Sequence, residues 1–72
     1  FTTFENSFVR LVVFDINGRH VKTLISNYLV EGSHEVKWDA KNSFGKEMPS
    51  GVYIYQLTTN NMISSKRMTL LR

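Results

Sequence analysis

"FVRLVVFDINGRHVKTLI", residues 8–25, decides the fold. From Phe8 to Ile16 nearly every side chain is apolar and either β-branched or aromatic. These residue types favour a pleated, half-buried backbone. Counting by twos sends Val9, Leu11 and Val13 one way and Phe8, Arg10, Val12 and Phe14 the other. Asn17-Gly18 follows, and both residues tolerate positive φ, so the spacing predicts a two-residue type I′ hairpin. The chain then returns over "RHVKTLI", residues 19–25, with Val21 and Leu24 as expected core contacts.

The same period continues outward. "SNYLVEGS", residues 26–33, reads as a connection with Gly32 in its turn. "HEVKWDA" alternates His34, Val36 and Trp38 against Glu35, Lys37 and Asp39, which predicts a strand. A polar loop spans 39–51, rich in residues that bend a backbone. In "PSGVYIYQLTTNN", residues 49–61, Tyr53, Tyr55 and Leu57 share one face, and Val52, Ile54 and Gln56 the other. Both faces suit a central strand. At least one tyrosine ring should lie in the core with its hydroxyl hydrogen-bonded near the rim. The competing reading is an exposed aromatic platform for sugar. The last strand, within "MISSKRMTLLR", should turn Met68 and Leu70 inward while Lys66 and Arg72 snorkel. A strand fragment is expected at Thr2–Phe4. Strands about ten residues apart, with turns between, predict an all-β fold. The expected class is a small immunoglobulin/fibronectin-like antiparallel β-sandwich of about five to seven strands, its first strand cut short.

The totals narrow the chemistry. Seventy-two residues suit one domain, 1–72, and a chain opening on Phe1 reads as part of a longer protein. There is no cysteine to form a disulfide or a thiolate ligand. The net charge of +3 is spread along the strands, which predicts a solvated surface rather than a nucleic-acid site. No apolar run reaches the ~20 residues of a membrane-spanning helix. His20 and His34 fall on separate strands, whereas zinc needs three or four clustered ligands. Asp39, Asn42 and Ser43 share a loop, but their spacing suits a turn better than a calcium site. No serine sits in a nucleophile elbow, and no glycine set cradles a phosphate. So short a chain is expected to leave little room for a cleft of ~300 Å³. The residues therefore predict no enzyme, no metal and no cofactor.

Taken together, "VRLVVFDINGRHVKTL", "GSHEVKWDAKNSFGKEMPSGVYIYQL" and "SSKRMTLLR" carry a family pattern. Asp15 and Gly18 close the first hairpin, Trp38-Asp39 opens a loop holding Gly45, Ser50-Gly51-x-Tyr53 begins a strand, and Lys66 lies in the last one. This order resembles the C-terminal sorting domain of type IX secretion cargo, and is similar to the immunoglobulin-like domain of the flagellar hook-capping protein. The chain's finish at Arg72 favours the sorting domain in that comparison. The resemblance implies a non-catalytic label on an exported protein, reaching the cell surface or medium through the periplasm. Its implied partners are the outer-membrane secretion machinery and a sortase-like protease.

If the surface is recognised, the expected residues are Lys66, Arg67 and Arg72, with Gly51 to Tyr53 as scaffold. The plainer reading is that these cations keep an edge strand soluble. The family pattern usually has a fuller first strand than "FTTFENS", residues 1–7, provides. That predicts an unpaired edge beside the apolar strand, and self-association through it. Two other functions fit the same residues: a structural module of the hook-cap kind, or a carbohydrate-binding accessory domain using Trp38 and the tyrosines.

Overall fold

A computed structural model describes residues 1–60 and 62–71. Among them there is no helix. The strands are β1 (Thr2–Thr3), β2 (Ser7–Asp15), β3 (His20–Leu29), β4 (Gly32–Ser33), β5 (Gly51–Thr58) and β6 (Ile63–Leu70). Four of them form an antiparallel sheet in the order β3-β2-β5-β6, and β1 pairs with β4 in a second, two-stranded sheet. The result is an Ig-like β-sandwich whose second layer is much narrower than its first.

The core grows from β2. Val9 and Val13 are fully buried, and Leu11 lies between them on the same face. Val9 and Leu11 pack with Leu57 in one cluster; Val13 packs with Val21 and Tyr53 in another. Leu24 and Tyr55 touch both clusters and join them. Burying side chains of this size stabilises the fold by about 1.5–3 kcal/mol each before entropy is charged against it. Val21 and Leu24 lie an odd number of residues apart, so a regular strand would send them to opposite faces. Register shifts opposite Leu11/Val12 and Val13/Phe14 mark irregularities in β3 that let both reach the core. On the outer face, the cross-strand pairs Phe8–Tyr28 and Phe14–His20 meet edge-to-face, with ring centroids 5.4 and 6.4 Å apart.

Four expectations need correction. The first hairpin does not use a type I′ turn, because Asn17 does not take a positive φ. Instead the Gly18 N–H donates to the Asp15 carbonyl and the Asp15 N–H to the Arg19 carbonyl, with Gly18 at φ 81°. That is a type I turn closed by a left-handed glycine. The Asp15 carboxylate fixes it by accepting from the N–H groups of Asn17 and Arg19, both at 2.9 Å. The same turn recurs at Asn42, whose side-chain oxygen accepts from the N–H groups of Phe44 and Lys46, with Gly45 at φ 80°. "DINGR" and "NSFGK" are therefore one device used twice: a short acceptor, then glycine three residues on, then a cation.

Next, residues 26–29 belong to β3 rather than to a connection. They pair with Ser7 to Arg10, and that pairing overrides the weak strand preference of Ser26 and Asn27. Third, residues 34–39 form no ladder, although their burial alternates as the sequence predicts. Among the described residues this segment's backbone pairing stops at His34, which exchanges hydrogen bonds with Phe1 at 2.7 and 2.9 Å. Val36 and Trp38 still pack onto the two core clusters. Last, the apolar strand β2 has no free edge. It lies between β3 and β5, and the edges of the large sheet are β3 and β6.

Candidate functional site

The five residues singled out for recognition do not converge. Tyr53 is buried, and its hydroxyl donates to the Pro49 carbonyl at 2.7 Å. Its ring meets Trp38 at 5.1 Å and 64°. The Trp38 Nε1–H in turn donates to the Lys41 carbonyl at 2.9 Å. This bears out a core tyrosine with a satisfied hydroxyl, while the Trp38 ring is half-buried. Gly51 begins β5 opposite Leu70, whereas Lys66 lies opposite Tyr55 and Arg67 opposite Ile54. Lys66 and Arg67 are both exposed, but strand alternation sends them to opposite faces of β6. Arg72 lies outside the described residues.

What the structure does assemble is a groove. It is about 580 Å³ in volume and runs between the inner face of the large sheet and the Phe1 and 34–38 segments. The expectation of no sizeable cleft is thereby overturned. The physical reason is the narrow second layer: two short strands and one unpaired segment cannot roof four strands. The apolar lining includes Leu11, Leu57, Tyr55, Val36, Trp38 and Met68. Its polar members include His34, Glu35 and Lys66. A second groove, about 530 Å³, opens on the other side between β3 and residues 33–36.

The two histidines are tied to structural tasks. The His34 ring lies 5.3 Å from Phe1, and its Nε2 is 2.9 Å from the Val30 carbonyl, to which it donates. His20 Nε2 is 2.9 Å from the Thr23 hydroxyl, on the opposite face. Glu35 is the one carboxylate among the described residues that line the first groove. Among the described residues no three His, Cys, Asp or Glu side chains gather where they could hold a metal ion. The Asp39 carboxyl is held below its ordinary range. The Lys41 backbone N–H bonded to it is the main cause, and Lys22 adds to this from 3.4 Å. It fixes a loop that leads to the second glycine turn. Sequence reading missed the groove, whose signal was an alternating segment, 34–39, with too little partner strand to pair with.

Two unequal antiparallel sheets, a twice-used acceptor–glycine turn and a tyrosine bonded back across the start of its own strand define a small Ig-like β-sandwich. The chain belongs to the FlgD Ig-like domain family, whose model matches residues 4–62. No curated protein and no solved structure matches it. The family match ends just before β6, so the edge strand bearing Lys66 and Arg67 lies beyond it.

Proposed function

We propose that this domain performs no catalysis and serves as an Ig-like module of a larger exported protein, engaged by other proteins through contact. The observation that carries this reading is the groove. Its lining is mainly apolar, with Thr2, His34, Glu35, Ser64 and Lys66 as polar members, and among the described residues the His34 ring bonds the Val30 carbonyl and the Thr2 hydroxyl bonds Ser33, rather than each other as a nucleophile and base would. Membership of the FlgD Ig-like family supports a structural role of the hook-cap kind.

A second reading has its own support. The residue order from Val9 to Arg72 resembles type IX sorting domains, and its final portion, from Ile63 on, lies outside the family match. On this reading the outer-membrane secretion machinery and a sortase-like protease are the partners, and the destination is the cell surface or medium by way of the periplasm. One experiment separates the two. A reporter with a signal peptide is fused to this domain, with and without residues 66–72, and expressed in a bacterium that has type IX machinery. Export that depends on those residues supports the sorting role. Periplasmic retention of the intact fusion refutes it and leaves the structural module. Turnover of ester or glycoside substrates by the purified domain would refute both.

A further inference from the structure

We infer that the free edge of β6 and the groove beside it form a docking site for an extended segment of another protein, one that carries two adjacent acidic residues flanked by apolar ones. This inference rests on the reading of the domain as a contact module, and it names the partner's chemistry.

Geometry supplies the first half. Among the described residues β6 is an edge strand, paired only with β5. An extended chain can add to such an edge through its backbone, with specificity coming from pockets for alternate side chains. β6 has such a pocket. Ser64, Lys66 and Met68 line the groove from its inner face, and Val36 and Trp38 line it from the opposite layer. An added strand would send every second side chain into that space and close the half-roofed core.

Charge supplies the second half. No acidic residue occurs from Met48 to the end of the sequence, whereas Lys66 and Arg67 stand side by side on the edge strand. Their cross-strand neighbours are Tyr55 and Ile54, so no carboxylate on β5 neutralises them. Among the described residues neither forms an ion pair. Lys66 is at the groove and Arg67 is on the outer face. A complementary strand therefore needs one acid on each face at consecutive positions. With the added strand antiparallel to β6, the positions two residues to either side of the acid that faces Lys66 lie opposite Met68 and Ser64 and should be apolar. A centre such as Val-Asp-Glu-Thr-Ile satisfies this.

A second copy of this chain is a poor occupant. The edges of its large sheet are β3, whose only charged residue is Lys22, and β6 itself, and the two-residue strands β1 and β4 of the small sheet carry no charge. Each would set cations against cations, or bring no acid at all, and like charges directly opposite each other are destabilising.

The test is a titration of the folded domain with a ten-residue peptide centred on Val-Asp-Glu-Thr-Ile, followed by amide and indole NMR shifts. Shifts in the β6 amides and the Trp38 indole are expected, with affinity falling as salt rises. The double substitution Lys66→Glu, Arg67→Glu should weaken binding by about tenfold or more, and a peptide with Lys-Arg in place of the acids should recover it. Lys66→Gln with Arg67→Gln serves as a milder pair should the reversal disturb folding, and should also weaken binding. Equal affinity for acidic and basic peptides, shifts confined to β3, or no binding at all would overturn the inference. The export assay reads the module's role independently. Export that needs residues 66–72 while the peptide fails to bind would refute the docking site and leave the module intact.

Discussion

Tyr53 shows how a single side chain serves the fold. Its ring fills the core beside Val13 and Val21, and its hydroxyl reaches Pro49 to tie the preceding loop to the strand start. Tyr53→Phe keeps the ring and removes the hydrogen bond, so urea denaturation should show a loss of about 1 kcal/mol. Val13 has no exposed surface. Val13→Ala should cost about 2–3 kcal/mol, a large share of the roughly 5 kcal/mol expected of so short a chain. Asp39 gives a pH signature. Its folded pKa is depressed, so its contribution is fully present above the unfolded value and is lost as pH falls through the folded one. NMR titration of its carboxyl carbon should show a midpoint below the ordinary aspartate value, and Lys22→Ala should raise that midpoint. Which residues face the core was readable from the sequence, because alternation alone fixes it. That Tyr53 reaches Pro49 was not, since this depends on the path of the loop.

At the scale of elements, the two glycine turns make a matched pair. Asp15 and Asn42 play one role, so the carboxylate and the amide should be interchangeable there. Asp15→Asn is expected to stay within about 0.5 kcal/mol of the parent. Asp15→Ala should lose about 1 kcal/mol by stranding two N–H groups. Gly18→Ala and Gly45→Ala should each cost about 1 kcal/mol by thermal denaturation. An added Cβ would meet no atom within 4 Å, so the penalty is purely that of left-handed backbone. The edges differ from each other. β6 is guarded by cations, while residues 23–30 along β3 carry no charge. Self-association at high concentration should therefore run through β3, and Ser26→Lys should remove it in light scattering. A dimer that survives that substitution would place the contact elsewhere.

For the whole molecule, the unequal layers govern stability as well as binding. Hydrogen exchange should be slowest in β2 and β5, which are paired on both sides, and fast over residues 35–39, which alternate in burial without a ladder. Protection spread evenly over both layers would contradict this architecture. A strand docked along β6 should slow exchange in β6 first.

The residue pattern by itself determined an all-β chain, the faces of β2 and β5, the core tyrosine and the place of the glycine turns. Each follows from side-chain period or local backbone preference, and needs no knowledge of distant neighbours. Only the tertiary structure decided that β3 runs on to Leu29, that residues 34–39 form no ladder, and that β2 is interior while β6 is an edge. Pairing depends on which strand lies within hydrogen-bond reach, and alternation says nothing of that. The groove beside Lys66 is the space that those missing partners leave.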